Sequence, residues 1–200
     1  MIGRRQVTGL LLATAMALGA SAHAAGDGAI VKGTVTLPEQ GGSPQDVVVS
    51  LEGSAGTPAP AKAVIDQKDM KFVPHVVAVV AGSTVEFLNS DAFLHNVFST
   101  SAAKHFDLGM FGRGESRSVT FETPGVVDVK CNVHPHMEAF VVVLANPYFA
   151  QPDSQGKFQI SGIPPGRYKL RAWHESLKAV ETWVNLDPAK LQTVDLRFKK

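Results

Sequence analysis

The sequence predicts an all-β protein, on three observations. Short valine-rich runs recur along the chain, eighteen glycines and twelve prolines punctuate them, and no long helical periodicity appears beyond the N-terminal segment. The runs are separated by turn signals at the short spacing of a β-sandwich. Charged residues make up 18% of the 200 residues and the formal net charge is +1, so no global field calls for nucleic acid as a partner.

Taken in order, the chain opens with Arg4 and Arg5 ahead of the apolar run "VTGLLLATAMALGA", and "AHA" at 22–24 offers small residues for cleavage. Residues 1–24 are therefore expected to be a signal peptide, cleaved after about Ala24, and the mature protein to be periplasmic. The run is too short for a permanent membrane span. "RRQVTGLL" fits a twin-arginine signal only loosely, and ordinary export signals carry arginines too, so export by the ordinary route is the favoured reading. Next, "AIVKGTVTL" and "QDVVVSLEG" read as strands joined by the turn "PEQGGSP", and "GSAGTPAPA" (53–61) reads as a linker. A series of strands follows in "HVVAVVAG", "STVEFLN", "SRSVTFETPG", "VVDVKCN" and "AFVVVLAN". After a break at "NPYFAQPDSQG", further strands are expected in "KFQISGIPPGRYKLRAWH", "AVETWVNL" and "QTVDLRFK", with a single turn of helix at "DPAKLQ".

Cys131 is the only cysteine. In an oxidising compartment it has no internal partner for a disulfide, and a free exposed thiol is prone to oxidation. It is thus expected to be either buried and inert or bound to something. A nucleophile needs a base and an oxyanion hole, and nothing around "CNVHPHM" marks a nucleophile elbow. As ligands the same residues make sense: two residues separate Cys131 from His134 and two separate His134 from Met137, so one loop presents a thiolate, an imidazole and a thioether. That mixture of soft and borderline donors suits copper in both valences. A further histidine is available in "TVEFLNSDAFLHNVFS", where His95 is expected in a turn with Asn89, Ser90 and Asp91.

The two segments, "LNSDAFLHNV" and "CNVHPHMEAFVVV", together resemble the type 1 (blue) copper proteins, the cupredoxins, and most of all their plastocyanin and amicyanin group. The likeness covers about residues 64 to 145. It implies a Greek-key β-sandwich whose single copper is held by His95, Cys131 and His134 in a plane with Met137 as the axial ligand. It implies too that Asn96 ties the two ligand loops together and that His134-Pro135 is the edge through which electrons pass. A site poised between the preferences of Cu(II) and Cu(I) rearranges little on electron transfer, and four protein ligands leave no open position for a substrate. An electron carrier is expected, not an enzyme.

Around this set, His136 is the alternative imidazole, and Met110 an alternative axial donor. His75, His105 and His174 read as surface or structural residues. Phe93, Leu94, Phe111, Pro135 and Ala139 read as an apolar collar around the His134 edge or, for some of them, as core; Lys104, Arg113 and Arg117 read as scattered solvated charge, with a basic rim the alternative.

The flanking segments carry a second likeness. "VKGTVTLPEQGGSPQDVVVSLEG" and "PDSQGKFQISGIPPGRYKLRAW" both resemble carboxypeptidase-regulatory-like or transthyretin-like β-sandwich modules. One layout is a split module, 29–57 and 147–200, with the copper domain inserted at 58–146. The other is a tandem in which the N-terminal strands belong to the copper domain. The functional expectation is a periplasmic one-electron carrier between redox proteins, such as a cytochrome c or a periplasmic dehydrogenase or reductase. A copper module for storage, delivery or sensing is the alternative.

Overall fold

The computed structural model describes residues 28–53 and 56–199; the expected export segment lies outside them. In chain order the strands begin with β1 (Ala29–Thr36), β2 (Val48–Glu52), β3 (Lys62–Lys68), β4 (Lys71–Val73), β5 (Val76–Val80) and β6 (Ser83–Asn89). They continue with β7 (His95–Ser101), β8 (Lys104–Phe111), β9 (Ser116–Phe121), β10 (Gly125–Lys130) and β11 (Glu138–Leu144). Last come β12 (Phe149–Ala150), β13 (Lys157–Ile163), β14 (Gly166–Trp173), β15 (Val180–Leu186) and β16 (Gln192–Arg197). The all-β expectation holds, and the helix among the described residues is one 3-10 turn at Pro44–Asp46.

Four sheets result. The central segment builds a sheet ordered β5-β11-β10-β7-β8 and another ordered β4-β3-β6-β9. The ends of the chain build β13-β1-β16 and β12-β2-β14-β15. Thus β1 lies antiparallel to β13 and parallel to β16, while β2 lies between β12 and β14. Gly33 belongs to that first contact. A Cβ there would meet the Val194 carbonyl oxygen at 2.0 Å, so β1 and β16 approach only because the side chain is absent.

Each pair of sheets encloses its own core. One gathers Ile65, Phe87, Val97, Phe121, Val127 and Val141; the other gathers Val31, Leu51, Ile160, Leu170 and Leu196. A third, smaller cluster of Val48, Val76, Val142 and Leu144, with Phe140 and Trp173 against it, joins them. The run "AFVVVL" explains how. On β11, Ala139, Val141 and Val143 point into the first core, whereas Val142 and Leu144 on the opposite face meet the chain ends. A strand buried on both faces loses the polar alternation of a half-exposed one.

Several local expectations need correction. Strands β3, β4 and β8 carry too little clean alternation to be read from the sequence; β8, for instance, is an edge strand whose residues are mostly exposed or half-buried. His95 opens β7 and does not sit in the preceding turn. "DPAKLQ" forms no helix, because the Asp187 carboxylate accepts from the Ala189 amide and the chain turns back into a bridge between Asp187 and Lys190.

Candidate metal centre

Sheet register brings the two chemical segments together. β7 runs antiparallel to β10, with Phe98 opposite Lys130. The residue that follows Lys130 therefore leaves the sheet at the end where β7 begins, which places Cys131 beside His95. The seven residues from Cys131 to Met137 then close the turn between β10 and β11, which pair from Lys130 opposite Glu138 onward. Two backbone bonds shape this loop: the Met137 amide donates to the His134 carbonyl at 2.9 Å, and the Cys131 amide donates to the Met137 carbonyl at 3.3 Å.

His95, Cys131 and His134 converge, their potential ligand atoms all within 4.8 Å of one another. The Nδ1 atoms of His95 and His134 are 3.0 Å apart, and Cys131 Sγ lies 4.0 Å from His134 Nδ1. Donors that share one transition ion at about 2.0 Å for nitrogen and 2.3 Å for sulfur lie roughly 3 to 4 Å from one another. The His95–His134 and Cys131–His134 separations lie in that range, and a small inward shift of the third pair, within 4.8 Å, lets the three donors share a single ion with soft and imidazole ligands. Met137 is fully buried and belongs to the same core cluster as Cys131.

The His95 ring is held from behind. Its Nε2–H donates to Asp91 Oδ2 at 2.8 Å, so the proton sits on Nε2 and the Nδ1 lone pair faces the cluster. Asp91 is itself fixed by two amides of the β3–β4 turn, Asp69 N at 2.7 Å and Met70 N at 2.9 Å. Asp69 and Met70 both have φ of 55°, the left-handed backbone that a tight hairpin turn needs. Partial burial works to raise the Asp91 carboxyl, but the Met70 amide, the His95 ring and the Asp69 amide together hold it below the usual carboxylate range. Asn89 fastens the base of this loop: its side-chain amide donates to the carbonyls of Phe93 and Phe111, both at 2.9 Å. From sequence alone Asp91 is only a turn residue. Its position four residues before His95 was the available signal.

Asn96 does not tie the two ligand loops together. Its amide group donates to Asp107 Oδ1 on β8 at 2.7 Å, since β8 pairs with β7 just where Asn96 points outward from the cluster. The Gly109 amide and Asn96 together hold the Asp107 carboxyl below its ordinary value.

The surroundings sort themselves. His134 is half-buried and His136 exposed, with ring centroids 6.1 Å apart, and His136 stands outside the converging group. Met110 is exposed on the edge strand. The apolar collar shrinks, because Phe111 and Ala139 are core residues; Phe93, Leu94, Val133 and Pro135 remain exposed around the His134 edge. The basic rim is largely engaged. Lys104 pairs with Glu122 at 2.8 Å, and Arg117 lies over the Phe111 ring while donating to the carbonyls of Leu108 and Met110. His174 is buried, and His105 is exposed. His75 is half-buried beside the edge strand β5, and its Nε2 lies 2.8 Å from Glu175 Oε2, a contact the sequence does not show.

Residues 59–144 match the family model described as copper binding proteins, plastocyanin/azurin family. The chain is similar to amicyanin-alpha of Methylorubrum extorquens, 38% identical over 77 residues that make up 37% of this chain and 65% of that protein. Plastocyanin of Ulva pertusa is 35% identical over 78 residues, 34% of this chain and 80% of that protein. Against amicyanin-alpha, and against amicyanin of Paracoccus denitrificans at 63%, the chain spans somewhat less than two thirds of the relative's length. Among solved structures, a Cu(I) form of an amicyanin variant is 26% identical and covers 48% of this chain and 98% of its own, with a TM-score of 0.39. With His95 at the start of β7 meeting the 131–137 loop and relatives of this extent, the chain belongs to the plastocyanin/azurin family of copper-binding proteins.

Proposed function

We propose that this chain is an exported one-electron carrier whose single copper is held by His95, Cys131, His134 and Met137. The observation that supports it most is the convergence of two imidazoles and a buried thiol from the start of β7 and the 131–137 loop, with one imidazole already locked by Asp91 in the tautomer a ligand requires. Bound there, copper supplies a one-electron couple between Cu(II) and Cu(I). The protein's part is to keep the donors in place. β7 and β10 fix His95 and Cys131, and the backbone bonds of the 131–137 loop hold His134 and Met137. Cys131 and Met137 are shut away from water, which protects the thiol, while the half-buried His134 leaves an edge near the surface. Phe93, Leu94, Val133 and Pro135 surround that edge with apolar surface suited to brief docking. The partners would be redox proteins, a cytochrome c or a periplasmic dehydrogenase or reductase, and the compartment the periplasm.

The ends of the chain support the split layout. β1 and β2 hydrogen-bond to strands that follow residue 147, which is what a transthyretin-like module at 29–57 and 147–200, interrupted by a copper domain at 58–146, would require.

Repeated reduction with ascorbate and oxidation with ferricyanide, in the presence of a Cu(I) chelator, tests the carrier reading. A carrier retains its copper and returns to the same visible spectrum on every cycle. Loss of the metal to the chelator on the first reduction would instead mark a storage or delivery protein.

A further inference from the structure

The ends of the chain reach the copper loop through one hydrogen-bonded relay. Glu175 follows β14 and lies a hundred positions from His75, yet its Oε2 is 2.8 Å from His75 Nε2. The other nitrogen of the ring, Nδ1, is 3.0 Å from the backbone carbonyl of Glu138, the residue directly after Met137. A carboxylate and a carbonyl both only accept, so both ring nitrogens must carry hydrogen and the imidazolium is the form that satisfies them. The His75 carbonyl accepts in turn from the Phe140 amide at 2.8 Å. His75 therefore grips β11 on either side of Ala139. The grip is backed by rings: His75 meets Phe140 edge-on with centroids 5.5 Å apart, and Phe140 meets Trp173 at 5.7 Å. A recess lined by Phe72, His75, His136, Met137, Glu138 and Glu175 runs between this relay and the ligand loop.

We propose that Glu175 and His75 are positioning residues for the Met137 segment, through which the terminal sheets set where Met137 stands against the donor cluster. This role rests on the proposed place of Met137 among the copper ligands. Met137 and Glu138 share a peptide bond, so a carbonyl of Glu138 held by a charged ring limits how far Met137 can swing. That bond is charge-assisted, and so is the one from the ring to Glu175. Loss of Glu175 removes the partner that keeps His75 doubly protonated, and the hold on Glu138 slackens with it. Neither residue touches the three converging donors, so the effect travels through the backbone of β11.

The test compares full-length wild type with Glu175→Gln, and with Glu181→Gln as a control on a surface ion pair of the same terminal sheets. In copper-free protein, NMR follows the Met137 methyl group and the Ala139 amide, the group next to the held carbonyl. In copper-loaded protein, the Cu(II)/Cu(I) ratio is read at a fixed applied potential. Glu175→Gln is expected to move both NMR signals and to change the ratio about threefold, a smaller effect than loss of a partner hydrogen-bonded directly to a ligand. Glu181→Gln is expected to leave all three in place. Unmoved Met137 and Ala139 signals in Glu175→Gln, or equal movement in the control, would overturn the proposal. Moved NMR signals with an unchanged ratio would overturn the link to copper. The copper-free measurement decides the relay even if the loaded protein shows that the ligand set is different.

Discussion

Asp91 links a hairpin turn to the His95 ring with a single carboxylate. It takes two amides from the β3–β4 turn and one ring N–H from His95, so removing it leaves three donors to find new partners. Asp91→Ala is expected to weaken copper binding about tenfold, because the His95 ring is freed to rotate and to change tautomer. The same variant should lose roughly 1 to 3 kcal/mol of stability without metal, from the stranded amides. A competition titration and a denaturant melt read the two effects separately, and unchanged affinity would show that Asp91 serves only the turn. At this scale the sequence was partly legible. Cys131, His134 and Met137 stood out because a single hairpin loop delivers all of them. Asp91 and His75 did not, since what each one does is set by a partner that only the fold supplies, Glu175 in the case of His75.

Among the elements, the β4–β5 connection carries a pH-sensitive group, His75. Burial pulls the His75 ring down, yet the hydrogen bond and charge of Glu175, with the nearby Asp46 carboxylate and the Glu138 carbonyl, leave it above its ordinary value. Lys71 and His136 line the same recess. A histidine raised on folding stabilises the native state fully below its unfolded value, near pH 6.5, and that contribution fades as pH rises through the higher folded value. The stability difference between wild type and Glu175→Gln should therefore be larger at about pH 6 than at about pH 9, measured by denaturation of copper-free protein. A difference that is the same at both would mean that His75 does not change charge there. Strands with strong valine content, such as β5, β10 and β11, were legible from their runs. β8 was not, because an edge strand with water on much of its surface has no apolar stripe to show.

The whole molecule is held by two separate cores and a thin apolar seam. Leu144 and Val142 reach from the copper-bearing sheets onto Val48 and Trp173 of the terminal ones. Leu144→Ala should cost about 2 kcal/mol, the lower end for a buried leucine since the seam is small and can partly close. Copper-bound colour should survive, because Leu144 lies at the far end of β11 from Met137. A bleached site in that variant would mean the seam governs the ligands as well as the relay. All-β character was readable from composition and turn spacing, whereas β1 lying parallel to β16 depends on contacts across most of the chain and had only a motif likeness to suggest it. The central claim, one copper shared by donors from the start of β7 and the β10–β11 loop, is tested most directly by adding Cu(II) to copper-free protein and watching the visible spectrum. Wild type should develop an intense thiolate-to-copper band that saturates at one equivalent, and Cys131→Ser should stay colourless. A serine variant that colours like wild type, or a wild type that never does, would contradict it.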